Sequence, residues 1–378
     1  MMKAIPLLVG YGIASLFLFF YTYTQVDLSL TLSRVSIWQT IEKAFQYVGY
    51  YERPLSTGLY IAILVLFFIL YILLLSSIRR KKISKKNLWS LIFIVTVVLV
   101  LSYPAFSYDM FNYMFTAKTV LVYHKNPYTV LPLEFSGFDP MLSFMRWTHL
   151  PSAYTPLWIL LTLPSYLFGF GYFLTIMWNL KILVGVSYLA CAYFIGKILD
   201  RVEPEHALLG VAIFAFNPLV IIESLVSAHN DVVMMAFAMA AFYFFLVQKR
   251  SVSYLFLSLS VALKLMTLSL YPIAFLGWNR ALALVAVFSG FVAVLFEREV
   301  LPWYWVWVMP FIALLPRARG VLILGMGISL GLLLRYAPVL YFGHYNDPVL
   351  FYKNLGTIAP IILSLIVLAL YRISKKTR

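Results

Sequence analysis

Asp109 and His229 have the chemistry and the setting to handle a proton at a membrane boundary. Asp109 lies in Ser107-Tyr108-Asp109-Met110-Phe111-Asn112-Tyr113, where a long apolar run ends, and Asn126-Pro127-Tyr128 follows. A carboxylate at a helix mouth can act as general base toward a hydroxyl under attack. Asn112 and Tyr113 sit at i+3 and i+4 on the same helical face, where they can bind a polar substrate. The same acid also suits a plain N-cap at a positive helix end. The second cluster is His229-Asn230-Asp231, with Glu223 two turns before it. Its imidazole can donate to a phosphate oxygen, and Asp231 can orient it or bind an acceptor. A capping Asn/Asp pair at a tight loop is the alternative. One histidine and two scattered acids have no known metal-ligand spacing, so no metal or cofactor is expected to be required.

Two further features stand out. Lys264 interrupts an apolar run, and an ammonium there needs an anion or water. A lipid-linked phosphate would serve, as would snorkelling of the head group to the interface. Leu301-Pro302-Trp303-Tyr304-Trp305-Val306-Trp307 puts four large aromatics at a membrane edge. An aromatic belt accounts for them, and so does stacking on a sugar ring.

The elements that position these groups follow from composition. The 378 residues are 63% hydrophobic and 11% charged, with a mean hydropathy of +0.91. A soluble domain cannot hide that much apolar surface, so lipid is the solvent. In lipid the backbone must satisfy itself, and the unbroken apolar runs favour helices over a closed barrel. The expectation is an all-α polytopic membrane protein, a single transmembrane domain over 1–378 with no separate soluble domain. The net charge of +15 does not point to nucleic acid. Arg79, Arg80, Lys81, Lys82, Lys85 and Lys86 crowd one loop, and Arg372, Lys375, Lys376 and Arg378 crowd the tail. This is the positive-inside pattern, with attraction of anionic lipid headgroups as an additional use. A single cysteine, Cys191, excludes an internal disulfide.

Counting from the basic loops puts 25–56 and 107–153 outside, the latter carrying a helix over 109–123 that lies along the membrane surface. The first apolar run, 4–20 after Lys3, is expected to be an uncleaved span. Parity leaves 154–170 and 252–278 as irregular, partly inserted segments. About ten full crossings remain, one of them over 302–316. Both chemical clusters then open on the external, non-cytoplasmic face.

In this order the motifs resemble a polyprenyl-phosphate-sugar-dependent glycosyltransferase of the GT-C fold, of the prokaryotic mannosyltransferase type. The matching residues are Tyr108-Asp109, Tyr113, Asn126-Pro127-Tyr128, Tyr154-Thr155-Pro156, Asn217-Pro218, Glu223, His229-Asn230-Asp231, Lys264 before Pro272, and Pro302-Trp303-Tyr304. The resemblance implies a GT-C-like helical bundle with external juxtamembrane helices. It implies that a hexose, with mannose the family's guess, passes from a polyprenyl phosphate in the membrane lipid to a glycan, glycolipid or protein hydroxyl with inversion. Asp109 would be the base. Lys264, His229 and Arg146 would hold the donor phosphate. Tyr108, Asn112, Tyr113, Asn126, Tyr128, Glu223, Asn230, Asp231, Trp303 and Tyr304 would bind substrate. A carrier or flippase of a lipid-linked sugar shares the polytopic body, but a carrier usually places its binding residues near the midplane. A membrane scaffold without catalysis would be indifferent to Asp109→Asn.

Overall fold

The computed structural model describes residues 5–28 and 30–376, the side chains of 374–376 excepted. Lys3 at the head of the first apolar run and Arg378 in the tail lie outside the described residues, as do the side chains of Lys375 and Lys376. Every regular element is helical, and no strand occurs among the described residues.

In chain order α1 (Ile5–Tyr23), the amphipathic α2 (Ser36–Tyr50), α3 (Arg53–Arg79) and α4 (Lys85–Val100) lead to α5 (Asp109–Leu121). Ser84 starts α4 by accepting the Asn87 N–H at 3.1 Å. Proline opens α6 (Pro156–Leu167), where its missing N–H costs nothing. The long α7 (Phe173–Val202) is followed by α8 (Ala207–Ala215) and the short α9 (Pro218–Ile221). After these come α10 (Asp231–Leu246), α11 (Arg250–Leu263), α12 (Leu270–Phe275) and α13 (Arg280–Glu297). The chain closes with α14 (Met309–Ala313), α15 (Arg319–Leu334), α16 (Tyr336–Phe342) and α17 (Val349–Lys376).

Six helical stretches among the described residues are long and apolar enough to cross a membrane, and the pair Pro204–Ala215 and Pro218–Val226, bent by 56°, makes a seventh if taken as one span. The chain is thus a multi-pass helical membrane protein. Residues 154–170 hold only the twelve-residue α6. Residues 252–278 are broken at Lys264 into α11, a 3-10 turn over Leu265–Ser269 and α12. Residues 302–316, read from sequence as a crossing, instead form a 3-10 turn over Pro302–Trp307 and the five-residue α14. Pro302 and Pro310 each lack an amide donor, so both favour the start of a helix over its interior. The α5 helix differs from a surface helix as well. Residues 110–117 are all buried, Asn112 and Thr116 included, so protein rather than lipid surrounds it.

Charge pairing gathers the basic loops at one end. Glu203, after α7, meets Arg280 at the head of α13 and Arg317 before α15, both at 2.9 Å. Asp200 lies 3.7 Å from Lys85. At the opposite end Phe173, the first residue of α7, stacks on Phe111 of α5, so α7 runs from the Asp109 end to the basic end.

Small residues bring α15 and α17 together. A methyl group on Gly331 would stand 2.3 Å from the Thr357 carbonyl, and one on Gly327 2.5 Å from the Ser364 hydroxyl. Between apolar helices in lipid, this close approach replaces hydrophobic driving force. Gly331→Ala is therefore expected to cost about 1–3 kcal/mol through forced separation of backbones. Gly58→Ala, with nothing within 4 Å of the new methyl, should instead stabilise by about 0.4–1 kcal/mol. Thermal unfolding of both variants in detergent checks the contrast, and equal effects would remove the packing argument.

Candidate active site

The acid end of α5 is held from several directions. The Asp109 N–H donates to Ser107 Oγ at 3.2 Å, and the Tyr154 hydroxyl donates to Asp109 Oδ1 at 3.2 Å. Tyr154 is itself braced. Its ring meets Tyr113 edge-on at 4.7 Å, and its carbonyl accepts from the Tyr128 hydroxyl at 2.7 Å. Asn126 accepts the Tyr128 N–H at 3.0 Å in a local turn. Asn126 and Tyr128 thus act on the site through Tyr154. The Asp109 side chain keeps 19% exposure, enough to meet a substrate.

His229 reaches Asp109 because the chain departs from a regular helix just before it. Asn217 caps α9 by accepting the Leu219 N–H at 3.0 Å. The next turn, Ile222–Val226, is π-helical, a widening often found at functional sites. Ala228 then takes a left-handed φ of 56°, a strained setting for a residue with a Cβ. The His229 N–H closes the turn on the Glu223 carbonyl at 3.0 Å. Its Nδ1 lies 3.4 Å from Asp109 Oδ2 and its Nε2 3.4 Å from Glu223 Oε2. Both contacts are long for hydrogen bonds, as is common in catalytic pairs without substrate. Trp303 covers the imidazole, with ring centroids 4.1 Å apart and planes at 19°. Tyr336, at the head of α16, donates to Glu223 Oε1 at 2.9 Å.

Carboxylate, imidazole and carboxylate therefore form one row from Asp109 through His229 to Glu223. Each imidazole nitrogen faces a carboxylate oxygen at 3.4 Å. Burial pushes the Asp109 carboxyl up. The imidazole beside it, the Lys264 ammonium and the Tyr154 hydroxyl outweigh that and hold it below its ordinary value.

Lys264 stands at the break after α11, in extended backbone with φ −154° and ψ 133°. Its Nζ lies 2.7 Å from Asp231 Oδ1, and the lysine side chain keeps 27% exposure while that of Asp231 has none. The Trp307 indole donates to the same oxygen, and Tyr304 packs on Trp307 with centroids 4.7 Å apart. Asp231 and Tyr304 are thus committed to holding Lys264 and Trp307. Asn230 is buried. Thr155 donates to the Leu263 carbonyl at 3.1 Å, tying the start of α6 to the lysine-bearing break. Arg146 lies over the Tyr108 ring at 4.6 Å, donates to its hydroxyl at 3.1 Å and pairs with Asp27 at 3.4 Å. Its link to the centre runs through Tyr108, the residue before Asp109.

Tyr336 and Lys181 are not among the residues the sequence motifs single out, and Trp307 stands among the edge aromatics with no sign there of its bond to Asp231. Lys181, buried in α7, donates to the Ser102 carbonyl at 2.6 Å, the Ser102 hydroxyl at 2.8 Å and the Val226 carbonyl at 3.1 Å. It clamps the end of the π-helical turn to the segment after α4. A lone cation in an apolar run signals it, as for Lys264. Tyr336 carries no such signal. Among the described residues no three His, Cys, Asp or Glu side chains have metal-holding geometry.

A family model described as "Alpha-(1->6)-mannopyranosyltransferase, N-terminal domain" matches residues 29–281. Asp109, Glu223, His229, Asp231 and Lys264 lie inside that match, and Trp303, Trp307 and Tyr336 lie beyond it. No curated protein and no solved structure matches the chain.

Proposed function

Because this chain belongs to the alpha-(1->6)-mannopyranosyltransferase family, we propose that it moves mannose from a polyprenyl-phosphate donor to an acceptor hydroxyl with inversion, on the non-cytoplasmic face. The observation that carries this reading is the convergence of Asp109 with His229 on one side and Tyr154 on the other. Lys264 enters the same electrostatic field.

Asp109 Oδ takes the proton of the acceptor hydroxyl as the acceptor oxygen bonds to the anomeric carbon. The bond from that carbon to the phosphate oxygen breaks, and the leaving lipid phosphate keeps the electron pair. Lys264 stabilises the charge that develops on it. His229 and Glu223 hold the base in place and ionised. Retention would need a second carboxylate facing the sugar about 5–5.5 Å away as nucleophile. Glu223 and Asp231 both have fully buried carboxyls, which supports a single displacement. An inverting reaction with an α product requires a β-linked phosphomannose donor. The basic loops gather at the end away from Asp109, and by the positive-inside rule that supports an external site. Trp303 would contribute its outer face to sugar stacking.

Purified protein in lipid, given labelled β- and α-linked polyprenyl-phosphate mannose with glycan, glycolipid and peptide acceptors, tests the proposal. Transfer from the β donor to an α product is expected. Transfer from a nucleotide sugar alone, or retention of configuration, would overturn it. A pH profile tests the part assigned to His229. A base must be deprotonated, so the acid limb of the rate falls where Asp109 takes up its proton. The neighbours lower that point in the native protein. His229→Phe should therefore move the acid limb to higher pH, and an unmoved limb would remove His229 from the base's environment.

A further inference from the structure

An open cavity of about 930 Å³ lies at the basic end, where α3, α15 and α17 finish or begin. Five cations line it, Arg79, Lys81, Arg317, Arg319 and Arg372, against one acid, Glu205. Arg317 is paired, with Glu203 at 2.9 Å and Glu205 at 3.9 Å. Among the described residues, Arg79, Lys81, Arg319 and Arg372 have no carboxylate within ion-pair distance. Arg319 donates instead to the Tyr371 hydroxyl at 2.8 Å, and it repels Arg79 nearby.

Converging guanidinium groups without counter-charge cost energy that an anion relieves, and guanidinium forks match phosphate oxygens in pairs. The wall also includes Leu209 and Leu368, apolar side chains of α8 and α17. We propose that this cavity binds a phosphate polyanion, remote from the transfer site and independent of it. A phosphate-bearing lipid headgroup and a soluble phosphate compound share this chemistry, and the cavity has room for either.

The full chain in a neutral detergent is titrated separately with inorganic pyrophosphate and with phosphatidylglycerol in mixed micelles, reading thermal unfolding at low salt. At saturation one probe or both should raise the Tm by about 4 °C, with the gain fading as salt screens it. A shift with the lipid alone assigns the cavity to a headgroup, and a shift with pyrophosphate too assigns it to phosphate anions in general. Arg79→Gln and Arg319→Gln should each lose at least half of the shift, measured against their own unliganded Tm. Arg372→Gln, at an exposed position, serves where either variant folds poorly. Lys82→Gln, on the same basic loop but outside the cavity, should keep the whole shift. No shift with either probe overturns the proposal. So does equal loss in Lys82→Gln and Arg79→Gln, because smeared surface charge would then explain the attraction.

Discussion

Asp109→Asn is expected to lower mannosyl transfer by about 10²–10⁴-fold, the range that a positioned general base supplies, with little change in thermal stability. Asparagine keeps the shape at the head of α5, its side-chain oxygen can still accept from Tyr154, and the backbone bond to Ser107 is untouched. It cannot accept the acceptor's proton. Donor binding should survive, because Lys264 and the lipid-facing surfaces are untouched, and the loss should therefore fall on kcat more than on KM. Labelled transfer beside a melting curve separates these effects. Full activity in Asp109→Asn would leave the chain without its proposed base. Lost activity with an equally lost fold would reduce Asp109 to a structural cap.

Lys264→Met is expected to damage both stability and transfer. Removing one partner of a fully buried pair typically costs about 3–5 kcal/mol, because the other charge is left uncompensated. The 27% exposure of Lys264 reduces this to about 2–3 kcal/mol, since water screens part of the pair. Asp231→Asn in the same chain removes the stranded charge and should return much of the stability. It should not return activity if the ammonium stabilises the leaving phosphate. A double variant that recovers both would make the lysine a structural partner of Asp231 alone. A double variant that recovers neither would place the damage in the break after α11.

The helical, lipid-embedded character of this protein was legible in its composition, because apolar content alone forces self-satisfied backbone in lipid. The start of α5 at Asp109 and the break at Lys264 were legible too, since polar interruptions of apolar runs stand out one residue at a time. Over 302–316 hydropathy suggests a crossing, and the chain forms short helical turns there instead. Hydropathy reports that Trp305–Leu315 is apolar but does not distinguish a span from a segment enclosed by protein, and 304–314 is buried throughout. The burial of α5 was hidden for the same reason. Its polar Asn112 and Thr116 suggest a wet face, and only neighbouring helices show that this face is covered.

From the sequence by itself came the polytopic helical body, the basic end, and the residue types at two polar turns, all carried by local pattern. Only the tertiary structure decided who meets whom. Tyr336 binds a glutamate 113 residues away, His229 sits between Asp109 and Glu223, and Lys264 is matched to Asp231. The physical reason is that a charge or a hydrogen bond depends on distance in space, and helices that are remote along the chain supply the partners.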